Sequence, residues 1–226
     1  HSLSLSSGKL KNGWAASFQG TRTTGNSYVD ASYIDAWSYF GSIAKEAGKN
    51  HMFVFTAIGA TQRHGQRSFM ERLSVYEQRG ESYNSDYGYK NGEVYNIREN
   101  FYHKPQMALN HYWTMNEKAT LSTSLYYSIG RGGGTGDRGS IGGLGTWGYR
   151  DAEGLIRLDD IVSWNSGAGN LDGMPAQGNI QKSVGYIATE SNGLLKRASM
   201  NEHNWYGALS TLNYEVNDKL KVLAGV

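Results

Sequence analysis

Residues 100–130, NFYHKPQMALNHYWTMNEKATLSTSLYYSIG, leave a chain few ways to fold. They predict two long strands joined by a tight polar turn at residues 115–118. In the second strand Leu121, Thr123, Leu125, Tyr127 and Ile129 fall on one side, and Ser122, Ser124, Tyr126 and Ser128 on the other. In the first, Met107, Leu109, His111 and Trp113 oppose Gln106, Ala108, Asn110 and Tyr112. Side chains alternate across a strand, so each strand carries one apolar and one polar face. Aromatic residues stand near the turn, and a long loop leaves the far end of each strand. Short turns on one side and long loops on the other form the pattern of an outer-membrane β-barrel.

The rest of the chain repeats this pattern. Residues 1–6 alternate Leu3 and Leu5 with serines, and residues 8–13 form a turn cluster ending in Asn12-Gly13. A strand over residues 14–24 places Trp14, Ala16 and Phe18 opposite Ala15, Ser17, Gln19 and Thr21, and a modest loop spans residues 25–31. The chain returns over residues 33–45, turns at 46–50 and runs outward over 52–61. A first long loop, residues 62–99, contains a candidate helix over 69–76, because Phe69, Leu73 and Tyr76 share a helical face. A longer loop, residues 131–199, opens with a glycine-rich stretch that reads as a hinge. Strands over 203–214 and 220–226 flank a turn at 215–219, which makes about eight strands of one barrel domain.

Trp14, Trp113 and Tyr214 sit beside short turns, where a periplasmic girdle lies in such barrels; Tyr33, Tyr102, Trp205 and Tyr206 sit near the long loops. The 226 residues include 30 Gly and 16 Tyr but only 2 Pro, a composition suited to sheets with extended loops. With no cysteine there is no disulfide framework or Cys-based zinc site, and a net charge of +2 gives no argument for nucleic acid. A membrane helix needs about 18 consecutive apolar residues, which this sequence lacks, whereas a membrane strand needs only about 9–11 with every second one apolar. Because the chain opens at His1 in a strand, without Met or signal peptide, a fragment of a larger protein is expected. Loops of this length count against a compact soluble domain. A soluble β-sandwich or carbohydrate-binding jelly roll nevertheless fits the same alternation.

Motifs for chemistry are weak. Gly134, Gly136 and Gly139 spell a formal GxGxxG, but neither the following helix nor the acidic partner of a dinucleotide site is present. None of the six histidines forms a metal-ligand pair by spacing, although His64 and His103 flank the first long loop. Asp151, Glu153, Asp159 and Asp160 do not match a calcium loop. No GxSxG appears, and the reading is of a protein without catalytic activity or cofactor. The loop residues Trp147, Tyr149, Trp164 and Tyr186, interleaved with Arg131, Arg138, Arg157 and Asp159, form a candidate substrate-recognition surface, since Tyr, Trp and Arg dominate binding hot spots. Self-packing of a long loop explains the same aromatics equally well.

Several runs resemble TonB-dependent outer-membrane receptors of the Bacteroidetes type. They are WAASFQGTRTTG (residues 14–25), WSYF (37–40), QRHGQR (62–67), FYHKPQ (101–106), NHYW (110–113) and YSIGRGGG (127–134). The resemblance covers most of this chain but only part of the family's protein, whose barrel has about 22 strands around an N-terminal plug. It implies a Gram-negative outer-membrane location and contact with outer-membrane lipid. It also implies capture of a scarce small-molecule or oligomer cargo (siderophore, haem, cobalamin, glycan or peptide) by extracellular loops. Uptake is then energised by TonB-ExbB-ExbD, in some members with a surface lipoprotein partner. The plug and TonB box that would engage this machinery are absent from the chain, so no energy-coupling residue carries over.

On this reading Leu3, Leu5, Phe53, Phe55, Met107, Leu109, Leu121, Leu125 and Leu212 face lipid, and Ser17, Gln19, Asn110, Ser122 and Ser124 face the lumen. Lipid cannot satisfy backbone amides, so every strand of such a wall must be paired. A small complete barrel acting as adhesin or anchor would instead require the first and last strands to pair. A barrel enzyme would require a Ser or acid beside a rim His.

Overall fold

The computed structural model describes residues 1–176 and 193–226. Its main body is a single antiparallel sheet in which nearly every strand pairs with its neighbours in sequence. The strands are β1 (Ser2–Ser6), β2 (Trp14–Asn26), β3 (Tyr33–Ala47), β4 (His51–Gly65), β7 (Glu99–His103), β8 (Gln106–Asn116), β9 (Ala119–Ser140), β10 (Gly193–Asn217) and β11 (Leu220–Gly225). A separate hairpin, β5 (Tyr87–Lys90) with β6 (Glu93–Asn96), and the helices α1 (Leu73–Arg79) and α2 (Leu158–Asn165) lie in the long connections. β7 and β8 lie end to end between β4 and β9, so the nine-stranded sheet has eight positions across. β1 and β11 are its edges, and among the described residues no pair joins them. An antiparallel all-β architecture is therefore established.

The turns opposite the long connections are built by local side-chain chemistry. Asn116 Oδ1 accepts from the Lys118 amide at 2.9 Å, and Asn217 Oδ1 accepts from the Lys219 amide at the same distance. Both turns read Asn-acid-Lys, and both follow a one-residue register shift, at Thr114/Asn116 and at Glu215/Asn217. An Asx turn fixes the reversal, and the bulge adds local twist. At the β3–β4 turn Gly48 takes a φ of 68°, a left-handed value that glycine adopts without a Cβ penalty.

Pairing propagates one face across the whole sheet. Directly opposed residues run Leu5–Phe18–Gly41–Ala57–Met107–Tyr127–Tyr206, and next to them Ala16–Ile43–Phe55–Leu109–Leu125–Ala208. Toward the long connections the adjoining row begins Leu3–Gly20–Tyr39–Gly59. These rows carry no charge. Ser17, Gln19, Asn110, Ser122 and Ser124 all project to the opposite face, as their alternation with these rows dictates. Among the described residues no second layer covers the apolar face: Leu5, Phe18, Ile43, Phe55, Leu109 and Leu125 are exposed. Between Leu5, Phe18, Ile43 and Phe55 lies an open apolar hollow of about 570 Å³.

Five expectations from sequence are corrected. The strand expected to run unbroken through residues 100–114 is interrupted at Lys104-Pro105, where proline has no amide to donate. The Pro105 carbonyl keeps the break attached by accepting from Ile129 N at 3.2 Å and Ser128 Oγ at 3.0 Å. The helix forms at Leu73–Arg79 rather than over 69–76. Residues 62–65 belong to β4, and the first long connection contains the β5–β6 hairpin. The expected loop over 131–199 is strand at both ends, because β9 continues to Ser140 and β10 starts at Gly193.

The glycine-rich stretch is accordingly not a hinge: Gly132 pairs with both Tyr102 and Asn201, and Gly134 with Asn100 and Ser199. A Cβ on Gly132 would strike the Tyr102 ring and the Phe101 carbonyl, and one on Gly130 would strike the His203 imidazole. Neighbouring strands fill the space that side chains of β9 would need. That close approach is what the glycines supply.

Candidate functional site

Beyond the ends of β4, β7, β9 and β10 the connections fold into a cap with its own core. Ile97, Ile141, Tyr149, Ile156, Leu158, Ile161, Trp164, Leu171 and Leu194 pack together there, with Tyr95, Leu144 and Met174 against them. α2 contributes Leu158, Ile161 and Trp164 from one side, the i, i+3, i+6 spacing of a helix face. Backbone pairings knit the cap: Gly88 bridges Ile156, Ile141 bridges Leu144, and Leu171 bridges Met174.

Between cap and sheet lies a dense polar junction. Asn84 and Asn96 both donate to the Gln66 carbonyl, Asn84 at 3.2 Å and Asn96 at 2.9 Å. Arg98 reaches Asp137 at 2.8 Å and lies 3.7 Å from Asp86. Lys196 Nζ bonds Glu99 Oε2 at 2.6 Å and the Asn96 carbonyl at 3.0 Å, while Tyr33 donates its hydroxyl to Glu99. Burial acts to raise the Glu99 pKa, but the Lys196 and Tyr33 hydrogen bonds outweigh it and hold the carboxyl below its ordinary range. The Tyr33 phenol, by contrast, is pushed up to about 12 by burial and by the Glu99 carboxylate.

The candidate recognition residues separate in this frame. Tyr149 and Trp164 are only 1% and 4% exposed; they are the middle of the cap core, and the Tyr149 hydroxyl donates to the Ile141 carbonyl. Arg157 is tied to Asp160 at 2.7 Å and Asp172 at 2.8 Å, and Asp159 accepts from the Asn91 amide at 2.9 Å. Those pairs fix α2 and the β5–β6 hairpin to the rest of the cap. Trp147 is the aromatic turned to solvent, 67% exposed on the 3-10 turn Thr146–Gly148. Arg138 lies near the end of β9, opposite Leu195. Arg131 lies on the sheet below the cap, paired with Glu202 at 2.6 Å. Tyr186 lies outside the described residues. Cap packing thus accounts for Tyr149 and Trp164, and the exposed remainder is spread over the cap and the sheet beneath it.

His64 and His103 are not brought together. His64 is on the polar face beside Gln62, whereas His103 is on the apolar face and bonds the Tyr39 hydroxyl at 3.0 Å. Asp151 accepts from the Leu155 amide at 2.7 Å and closes a loop. Among the described residues no group of three or more His, Cys, Asp or Glu is placed to hold a metal ion.

A second cluster is visible only once the register is known. Where the uncharged rows end, the apolar face continues as Arg22–Trp37–Thr61–His103–Arg131–Glu202, followed by Asp35–Arg63–Phe101–Gly133. Arg22 lies over the Trp37 ring at 5.0 Å and Arg63 over Phe101 at 5.3 Å. Sequence reasoning singled out Arg131 and His103 from this cluster, but not as neighbours. The others come from six different strands, and only the pairing aligns them. Comparison of the chain with protein-family models, curated proteins and solved structures finds no match.

Proposed function

We propose that the chain is part of the wall and outer cap of a TonB-dependent outer-membrane receptor, which captures a scarce nutrient and takes it up through a plugged barrel. The observation that supports this reading most is the apolar face. It runs in register across eight strand positions, carries no charge in its middle rows and is covered by none of the described residues. Water gives no reason to build such a face, since apolar patches beyond a few hundred Å² are rare on soluble monomers. Lipid does, because it rewards an apolar exterior and demands paired strands. The asymmetry of ends supports it as well: Asx turns close one end, and the folded cap stands at the other.

In this reading the cap meets the cargo, with Trp147 and Arg138 among its outward residues. No residue is assigned a catalytic role. The test is uptake by cells. Deleting the full-length receptor, or the TonB energy transducer, should abolish growth on the same scarce nutrient among siderophore, haem, cobalamin, glycan and peptide sources. If receptor loss impairs uptake of none of them, or impairs it only while the transducer is irrelevant, the receptor reading fails.

A further inference from the structure

The cluster at the border of the apolar face has a chemistry of its own. Trp37, Thr61, Arg63, Phe101, His103 and Arg131 line an open pocket of about 250 Å³, together with Asp35 and Gln62. Its charges do not cancel. Asp35 is engaged by Arg22 at 3.5 Å, and Glu202 by Arg131, whose Nε and Nη2 share one carboxylate oxygen at 3.0 and 2.6 Å. Arg63 has no carboxylate in ion-pair contact among the described residues; its guanidinium rests on the Phe101 ring. The Arg131 side chain is 70% exposed and keeps donors to spare, since two of its five are used among the described residues.

We propose that this pocket holds a phosphate group of a membrane-lipid headgroup. The inference rests on the membrane-wall reading above. Guanidinium forks match phosphate oxygens in geometry and charge, and an aromatic platform holds the fork in place. Position selects the source of the phosphate. The pocket adjoins the uncharged rows on the same face, so a lipid whose chains cover Tyr39, Gly59 and Phe18 presents its headgroup where the arginines begin. A soluble phosphate-bearing cargo would be met in the cap or on the polar face instead.

The test uses the full-length receptor in nanodiscs of phosphatidylcholine doped with a lipid bearing a phosphomonoester, read by mass spectrometry of the lipids retained. Wild-type protein should enrich the phosphorylated lipid. Arg63→Gln and Arg131→Gln should each lower that enrichment about five-fold, the effect of one basic residue at a lipid surface. Arg72→Gln, an exposed cation in the cap, should leave it unchanged. No enrichment by wild type, enrichment untouched by the two rim variants, or full displacement by millimolar inorganic phosphate would each overturn the lipid site. Insertion is scored separately, by quenching of tryptophan fluorescence with brominated lipid acyl chains. Absence of quenching removes the membrane reading itself, whereas quenching without enrichment removes only the phosphate site.

Discussion

The sheet and the cap obey opposite rules of burial. In the cap, Ile141, Tyr149, Ile156 and Leu171 are almost wholly buried, and polar groups such as Asn84 find partners inside. In the sheet, Leu125, Phe55 and Ile43 stand exposed on one face, while the small polar Ser128 is fully buried against the Pro105 carbonyl. One part closes a hydrophobic core on itself, as a protein in water must. The other leaves an apolar face uncovered by any described residue. On the membrane reading proposed above, a single sequence carries two solvent specifications, and the boundary between them is where the arginines appear on the apolar face.

The contrast is broken or sharpened most strongly in the cap core. Trp164→Ala should cost about 3–5 kcal/mol, because it empties the centre of the cap core to which α2 contributes. Hydrogen exchange should show loss of protection at Ile141, Tyr149 and Leu158 with β2 to β4 unaffected. Loss of protection in both regions would mean that cap and sheet form one cooperative unit. On the sheet, Phe55→Arg should cost about 2–4 kcal/mol when folding is measured in lipid, and Ser122→Arg on the polar face much less. Equal costs would remove the asymmetry of faces on which the membrane reading stands.

Gly132→Ala should destabilise by about 1–3 kcal/mol through overpacking against Tyr102, although it lies in a stretch that reads as loop from sequence. A neutral result would show that β9 yields more easily than its pairing suggests. The smallest effect is one of pH at the junction, beyond the uncharged rows. Glu99 has a lowered pKa in the folded state, so its contribution is present above the unfolded carboxylate pKa and lost as pH falls through the lower folded value. Tyr33 has a raised pKa, so its contribution is complete below pH 10 and fades as pH rises through about 12. Glu99→Gln should flatten both limbs of a cap stability profile, and unchanged limbs would assign the pH dependence to other groups.

Legibility in the sequence followed the same division. The sheet was readable where side chains alternate: β2, β3, β4, β8 and the first half of β9 each announce one apolar face, and the turns announce themselves through Asn, Gly and charge. It became unreadable where glycine removes the alternating signal. Residues 132–136 form strand where Arg98 and Tyr102 on one side and Ser199 and Met200 on the other occupy the space beside the glycines, a fact held by two other segments. The cap core was unreadable for a related reason. Ile97, Ile141 and Leu171 are single apolar residues spaced irregularly through polar sequence, and only tertiary folding gathers them. Of the candidate residues, Tyr149 and Trp164 carry the side chains expected of a binding surface, but the same size and apolarity make them core.

The meander order also sets a timetable for assembly. β1 through β4 can zip together across short turns, since closing a short loop costs little entropy and takes well under a millisecond. The β9–β10 ladder is different: it is the longest in the molecule, running from Ala119–Tyr214 to Ser140–Gly193, and its cap-side closure must wait for the long connection between Ser140 and Gly193. α2 packs against β5 and β10, and Asn165 clasps Leu194 through its carbonyl at 2.8 Å and its amide at 3.4 Å. The cap is therefore the clasp that shortens this search, and a chain with a damaged cap should reach the same sheet by a slower route.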